Sequence, residues 1–212
     1  MDLSMRDDLP VVYVVDDDPS VRTALKRLFT SVRLAVETFN SAQEFLEHER
    51  ADVPSCLVLD VRLPGLSGLD LQTELAKTDA ELSVVFITGH GDIPMSVRAI
   101  KAGAVDFLPK PFKNQDLLDA VGKAVDQHKR LKKDRAERRK IQKRVESLTD
   151  REREVLVLVV AGMMNKQIAT RIGVTVATVK AHRGRAMQKM QVDSLAELVR
   201  MAEQAGVSTT NG

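Results

Sequence analysis

The first half of the chain alternates short apolar runs with amphipathic stretches. Residues 11–15 (VVYVV) form a continuous β-favouring run, as expected of a strand covered on both faces. Further short apolar runs follow at 34–39, 56–59, 83–87 and 105–108. Stretches with helical spacing lie between them, at 41–49, 67–77, 94–102 and from 115 onward. Five strands alternating with helices predict a parallel sheet with right-handed crossovers and helices on both faces.

The second half of the chain predicts helices only. No proline occurs between about residues 117 and 145, which favours a long helix, although the basic stretch 129–144 is also a candidate flexible linker. Thr149 with Glu152 three residues later has the pattern of a capping box at the next helix start. Helices at 166–172 and 176–190 flank the turn 173–175, where Thr175 is placed to cap the second of them, and a last helix runs from 194 to about 205. We therefore expect an all-α four-helix domain over 147–212, with a helix-turn-helix at about 165–184.

The two halves carry opposite charge. Residues 1–128 contain 13 basic and 21 acidic residues, whereas residues 129–212 contain 19 basic and 9 acidic ones. This asymmetry suggests two jobs, with the second half facing a polyanion; a solvated basic helix without a partner is the alternative. No apolar run is long enough to cross a membrane, and the acidic start lacks the features of a signal peptide. The single cysteine, Cys56, excludes an internal disulfide and is expected to be buried, so we expect a cytoplasmic protein.

Polar side chains fall where the predicted strands end. They are Asp16, Asp17 and Asp18 after the first strand, Asp60 at the third, Thr88 at the fourth and Lys110 past the fifth. Because the carboxyl ends of parallel strands share one rim, these groups should converge. Clustered carboxylates raise one another's pKa, and a hard cation such as Mg²⁺ relieves the repulsion. One carboxylate could then accept a phosphoryl group whose charge the metal, Lys110 and Thr88 stabilise. Singly, each element is more simply a helix cap or a surface turn; four at successive strand ends favour a site.

Four motifs resemble those of the receiver domain of bacterial two-component response regulators. They are VVDDD (14–18), LVLDVRLPG (57–65), ITGHG (87–91) and FLPKPF (107–112). The resemblance covers residues 11 to about 128 and implies a flavodoxin-like fold with strand order 2-1-3-4-5. It implies Asp60 as the phosphorylated residue and a cis Lys110–Pro111 bond. It also implies an Mg²⁺ site formed by Asp16 (through water), Asp17, Asp60 and the Arg62 carbonyl. Thr88 and Phe107 would form a conformational switch pair.

One class of enzyme shares part of this pattern. Haloacid-dehalogenase-like phosphatases also use an aspartyl phosphate and Mg²⁺, but they need a second Asp two residues after the nucleophile. Arg62 occupies that position here. We therefore expect a regulator with at most slow autodephosphorylation, in which Lys110 and Thr88 assist the chemistry at Asp60.

The basic half resembles the LuxR/NarL-type DNA-binding domain over residues 147 to about 205. The motifs are LTDREREVL (148–156), NKQIA (165–169) and TVKAH (178–182). By position, the resemblance implies base-edge contacts by Lys180, Ala181 and Gly184. It implies phosphate contacts by Thr178, Arg185 and Lys189. Gly184 departs from the pattern, because a long side chain is common there, and this leaves one readout position bare.

Two features of the basic half stay open at this point. His182 is either a DNA contact or a packing residue at the base of its helix. The last helix is a dimer surface by resemblance and simple core by apolar spacing alone; its residues in question are Leu195, Leu198, Val199 and Ala202.

The combination most resembles the FixJ branch of response regulators, particularly in ITGHGDIPM (87–95) and AGAVDF (102–107). It implies a receiver (11–128) after a short extension (1–10), a basic helical linker (129–146) and the DNA-binding domain. A cognate histidine kinase would phosphorylate Asp60, and the face around 94–125 would then support a homodimer that reads a two-fold DNA site. RNA polymerase would be a further partner. Two alternatives are a phosphate sink or interaction module with incidental DNA binding, and constitutive DNA binding.

Overall fold

The protein is described by a computed structural model that covers residues 9–77, 82–89 and 93–207. The chain divides into two compact units, Met1–Lys132 and Lys133–Gly212. Residues 90–92 of the ITGHGDIPM motif (87–95) and most of the N-terminal extension lie outside the described residues. None of the described helices combines the length and apolar composition that a bilayer-spanning segment requires.

The first unit is built on one parallel sheet with strand order β2-β1-β3-β4-β5, as predicted. Its strands are β1 (Val11–Val15), β2 (Ala35–Phe39), β3 (Ser55–Asp60), β4 (Ser83–Thr88) and β5 (Asp106–Pro109). The helices are α1 (Pro19–Ser31), α2 (Ala42–Glu47), α3 (Gly68–Lys77), α4 (Ile93–Lys101) and α5 (Asn114–Glu146). The predicted strand and helix positions are therefore confirmed to within a few residues.

Alternate strand residues feed two separate apolar layers. On one face, Val12, Cys56 and Val85 pack with residues of α1 and α5. On the other face, Tyr13 and Leu57 pack with residues of α2, α3 and α4. Both faces are covered, which explains why the central strands read as continuous apolar runs. Cys56 is completely buried in this sheet, as expected, and burial raises the pKa of its thiol.

The second unit packs the last turns of α5 with four further helices. These are α6 (Asp150–Val160), α7 (Asn165–Ile172), α8 (Val176–Met190) and α9 (Leu195–Gln204). Ile141 and Val145 of α5 are buried in the core of this unit. Residues 129–146, the predicted linker, are helical throughout, which favours the helical alternative over the flexible one.

Helix caps in the second unit follow the sequence signals. Thr149 and Glu152 form the predicted capping box at the start of α6. Thr175 caps α8 by accepting a hydrogen bond from the Thr178 backbone N–H. Gly173 ends α7 in the left-handed conformation (φ 69°), which glycine adopts without steric cost. The turn between the two helices is therefore encoded locally.

Candidate functional site

Asp16, Asp60 and Lys110 meet at the carboxyl rim of the sheet. Val15 of β1 lies beside Leu59 of β3, so the residues that follow them, Asp16 and Asp60, end neighbouring strands. Lys110 Nζ donates hydrogen bonds to Asp16 Oδ2 and Asp60 Oδ2, at 2.7 Å each. Asp16 is fully buried and Asp60 is 7% exposed. The rim thus holds two buried carboxylates around one ammonium group.

Burial and ion pairing oppose each other in this cluster. Burial raises the pKa of Asp16, and the hydrogen bond from Lys110 acts against that rise without cancelling it. Burial acts to lower the pKa of Lys110, but its hydrogen bonds to Asp16 and Asp60 outweigh this effect and raise that pKa. Lys110 is therefore held as a cation, and it stabilises negative charge on both carboxylates.

Asp17 completes a group of three carboxylates that can ligate a metal. One oxygen from each of Asp16, Asp17 and Asp60 lies within 4.8 Å of the others, and Asp17 is exposed to solvent. The backbone N–H of Arg62 donates to Asp60 Oδ1 at 3.0 Å, which fixes the orientation of that carboxylate. The cluster holds three carboxylates, two of which contact the single ammonium group of Lys110, so negative charge remains for a hard, oxygen-preferring cation. The residues present fit Mg²⁺.

Asp18 has a structural role that the sequence left unassigned. Its side chain caps α1 and accepts a hydrogen bond of 2.7 Å from the Ser20 backbone N–H. That hydrogen bond is the main reason why the pKa of Asp18 is lowered. Asp18 thus sets the start of α1 next to the rim.

Gly68 is a site residue that sequence reasoning missed. Its N–H donates to the Val61 carbonyl at 3.0 Å. A Cβ at Gly68 would lie 2.2 Å from the Asp60 carbonyl oxygen, closer than atoms can approach. Only glycine fits here without displacing the backbone of Asp60. The one available signal was a glycine at the second position of the predicted helix 67–77.

Thr88 and Phe107 lie on the neighbouring strands β4 and β5. Thr88 is fully buried, and its carbonyl accepts a hydrogen bond of 2.7 Å from the Lys110 N–H. Phe107 is half-buried, and its ring centroid lies 6.2 Å from that of Phe86. The Lys110–Pro111 peptide bond is cis, as expected. The two predicted switch residues therefore lie close to Lys110 along the strands, Thr88 at the end of β4 and Phe107 within β5.

One face of α8 in the second unit is open to solvent. Four residues predicted to face DNA are exposed there: Lys180, Ala181, Gly184 and Arg185. Apart from the neighbouring part of α8 itself, no atom of the described residues lies within 4 Å of the position that a Cβ at Gly184 would take, so this part of the face is bare. Thr178 Oγ1 is 2.8 Å from Thr175 Oγ1, which ties that hydroxyl to the helix cap.

Lys189 makes two contacts inside its own unit. Its Nζ lies 2.7 Å from Glu152 Oε2 and donates to the Ser147 carbonyl at 3.0 Å. Glu152 is only 3% exposed, and the hydrogen bond from Lys189 is the main cause of its lowered pKa. This ion pair competes with the predicted contact of Lys189 with a DNA phosphate, which stays a prediction. Lys189 fastens the end of α8 to the start of α6.

Two of the predicted dimer residues of α9 need correction. Leu198 and Ala202 are completely buried in the core of their own unit, so they cannot form a surface for a second chain. Leu195 is exposed and Val199 is half-buried, and only these two stay accessible. The core interpretation of the apolar spacing was right for the inner pair.

His182 and Arg183 also make contacts inside the second unit. His182 is half-buried and its Nδ1 is shielded from solvent, which favours the packing role over a DNA contact. Arg183 Nη1 donates to Asn165 Oδ1 at 3.3 Å and so joins α8 to the start of α7. Among the lysine and arginine residues of α8, only Lys180 and Arg185 are therefore exposed.

Comparisons with known proteins agree with both units. Residues 12–122 match the response regulator receiver domain, and residues 146–202 match the luxR family of bacterial regulatory proteins. Nodulation protein W of Bradyrhizobium diazoefficiens is 51% identical over 201 residues, which cover 95% of this chain and 88% of that protein. Transcriptional regulatory protein FixJ of Azorhizobium caulinodans is 44% identical over 207 residues, 96% of each chain. The solved structure of the response regulator StyR matches with a TM-score of 0.79 at 49% identity, covering 92% of this chain and 99% of that one.

Proposed function

We propose a mechanism for a chain that belongs to the two-component response regulators with a LuxR-type DNA-binding domain, and that is therefore a transcription regulator. In this mechanism a histidine kinase phosphorylates Asp60, and the phosphorylated chain pairs with a second copy to bind DNA. The receiver comprises residues 11–128, the helical linker 129–146 and the DNA-binding domain 147–212. A regulator of this kind acts on the chromosome, so we place it in the cytoplasm.

The chemical step is transfer of a phosphoryl group to Asp60. A carboxylate oxygen of Asp60 attacks the phosphorus of a phosphohistidine, the P–N bond breaks, and the imidazole nitrogen keeps the electron pair and takes a proton from solvent. Lys110 already lies 2.7 Å from Asp60 Oδ2, and this observation carries the proposal. Its ammonium group stabilises the charge that spreads over the phosphoryl oxygens.

Asp16, Asp17, Asp60 and the Arg62 carbonyl would hold Mg²⁺ beside the acceptor. When bound, the cation supplies electrostatic stabilisation of the transferring phosphoryl group. Asp17 is the exposed member of the set and is therefore suited to bind the cation directly. Asp16 is engaged with Lys110 through Oδ2 and with the Asp18 N–H through Oδ1, which supports a role through water.

Phosphorylation would be transmitted through Thr88 and Phe107. A new dianion at Asp60 attracts the Thr88 hydroxyl as a hydrogen-bond donor, and Phe107 moves inward as Thr88 shifts. The surface around residues 94–125 changes with them. Helix α4 supports a protein contact there, because it exposes a stripe of three apolar side chains: Ile93, Val97 and Ile100.

The DNA-binding domain would read a two-fold site when two chains pair. Lys180 and Arg185 supply exposed charge on α8, while Ala181 and Gly184 allow the helix to approach the groove closely. Half-sites about one DNA turn apart follow from two recognition helices related by a two-fold axis. RNA polymerase is the remaining expected partner, recruited at the promoter.

Two measurements, each made with and without acetyl phosphate and Mg²⁺, test this mechanism: the molecular mass of the protein in solution, and its affinity for promoter DNA. We expect both to rise for the wild type and neither to respond in Asp60→Ala. Asp70→Ala, which removes an exposed carboxylate of α3, is the matched control and should respond like the wild type. An Asp60→Ala protein that still responds would overturn the switch. Binding with a steep salt dependence but no preference among sequences would favour the phosphate-sink alternative.

A further inference from the structure

The part of α5 that opens the second unit is densely basic. Residues 133–143 contain six lysine and arginine residues against two acidic ones, a net charge of +4. The remaining residues of the unit, 144–212, contain ten basic and seven acidic residues, a net charge of +3. Eleven residues, here termed the basic segment, therefore carry more net charge than the whole helix-turn-helix domain that follows.

The basic segment has little apolar surface for a protein partner. Its apolar residues are Ala136, which is exposed, and Ile141, which is already buried in the core of the unit. No residue between 133 and 140 is buried. A coiled coil needs an apolar seam, and this segment lacks one. Whatever covers it must be recognised by charge.

Most of the positive charge of the basic segment is not paired with an acidic side chain in the described part of the chain. Four exposed cations pair with no acidic side chain among the described residues: Lys133, Arg138, Arg139 and Lys143. Lys140 pairs with Glu137 at 3.6 Å, but both side chains are more than half exposed, and such pairs are weak. Arg139 also lies four residues from Lys143, where like charges on a helix repel. A polyanion would relieve this repulsion.

We propose that the basic segment is a second DNA-binding surface, which contacts phosphates and reads no bases. The inference rests on the proposed DNA-binding function of α8. The segment belongs to the same unit as α8, and Arg144 directly after it donates to the Met190 carbonyl at 3.3 Å, at the end of α8. Duplex DNA carries one charge per about 1.7 Å of its axis, so it can engage closely spaced cations. The segment adds affinity and salt dependence, while α8 provides sequence preference.

The test measures the affinity of the full chain for DNA over a series of salt concentrations. Two duplexes are used, one of random sequence and one selected by the wild type from a random pool. The variant K133Q/R138Q/R139Q/K143Q removes the four unpaired charges but keeps side chains of good helix propensity. The slope of log K against log salt is negative, and we expect it to become shallower by about 0.9 for each DNA phosphate that the variant no longer neutralises. Affinity for both duplexes should fall by the same factor, leaving their ratio unchanged.

Two further variants control for net charge and for side-chain identity. K26Q/R27Q/R33Q/K77Q removes four exposed cations of the first unit that lie outside the surface around residues 94–125, and it should leave the slope unchanged. K133R/R138K/R139K/K143R keeps the charge of the segment, and it should behave like the wild type. The inference is overturned if the glutamine variant of the basic segment has the same salt slope as the first-unit control. It is also overturned if the glutamine variant changes only the mass of the dimer and not the affinity for DNA. In either case the selectivity of the wild type leaves the proposed function intact. A wild type that enriches no sequence from the random pool and does not bind the random duplex overturns both.

Discussion

His128 Nδ1 on α5 accepts a hydrogen bond of 2.7 Å from the backbone N–H of Ser55, the first residue of β3. The two residues are 73 positions apart in the chain. The bond requires an unprotonated Nδ1. Burial lowers the pKa of His128, and the charge of Lys132 lowers it further; the nearby Asp52 acts in the opposite direction.

We predict that the first unit loses stability when the solution is acidified past the pKa of histidine. The neutral imidazole is favoured in the folded state, so its contribution is fully present above the unfolded pKa of about 6.5 and is lost as the pH falls through the lower folded value. Tyr13 is the single tyrosine and the chain has no tryptophan, so its fluorescence reports urea unfolding of the first unit. His128→Asn keeps an acceptor but cannot titrate. An equal pH dependence in both proteins over this range would contradict the assignment.

Lys110→Ala should destabilise the first unit in a manner that Mg²⁺ reverses. The substitution leaves the buried Asp16 beside Asp60 with no cation, and breaking a buried ion pair costs roughly 3–5 kcal/mol. Lys110 is itself 22% exposed and Asp16 can take up a proton, so the lower end is expected. Mg²⁺ should raise the urea midpoint of the variant more than that of the wild type. Equal Mg²⁺ effects on the two proteins would show that Lys110 does not balance the carboxylates.

Gly68→Ala and Gly122→Ala should have opposite effects, although the chemical change is the same. A Cβ at Gly68 collides with the Asp60 carbonyl, whereas one at Gly122 in α5 meets no atom within 4 Å. Overpacking of this kind costs about 1–3 kcal/mol or more. Gly122→Ala should instead stabilise the helix by up to about 1 kcal/mol. Urea unfolding followed at Tyr13 measures both, and acetyl phosphate labelling shows whether displacement of Asp60 also slows phosphorylation.

Lys189→Gln and Arg185→Gln should separate structure from DNA binding in α8. Lys189→Gln leaves Glu152 buried without its cation, so the second unit should unfold at a lower urea concentration. Because Lys189 is 36% exposed, the free energy of unfolding should fall by less than the roughly 3–5 kcal/mol of a fully buried pair. Arg185→Gln removes an exposed charge, so it should lower the salt slope of DNA binding by about 0.9 with little change in stability. Circular dichroism and the salt series measure these effects. If the folded Lys189→Gln protein showed the same decrease in slope as Arg185→Gln, Lys189 would bind a DNA phosphate as well as Glu152.

The pH dependence of the second unit follows from the same ion pair. The hydrogen bond from Lys189 holds the pKa of Glu152 below its usual value. Its contribution is therefore present above the unfolded pKa of about 4.3 and is lost as the pH falls through the lower folded value. Lys189→Gln should flatten this acid limb of the stability profile.

Local patterns in the sequence were sufficient for the fold and the acidic rim. The run VVYVV and the polar residues directly after each strand place Asp16 and Asp60 together, because parallel strands end at a common edge. The same reasoning could not anticipate that Lys189 lies against Glu152, 37 residues away. A cation on a helix looks equally suited to DNA or to a buried carboxylate until packing is known. Gly68 was missed for a related reason, since the approach of its backbone to Asp60 leaves no periodic signal.

The apolar spacing of α9 illustrates the same limit. Leu195, Leu198, Val199 and Ala202 repeat at helical intervals whether the stripe faces a core or a second chain. Only the burial of Leu198 and Ala202 among residues of α6 and α8 distinguishes the two cases.

The rate at which Cys56 reacts with a thiol reagent can measure the opening of the sheet of the first unit. It is the single thiol of the chain, and it lies fully buried in β3, the strand that ends at Asp60. A maleimide cannot reach it while β3 stays between its neighbours, so labelling proceeds only as fast as the strand opens. Modification by one reagent at one atom therefore reports how often the phosphoryl-accepting strand leaves the sheet, without any engineered probe.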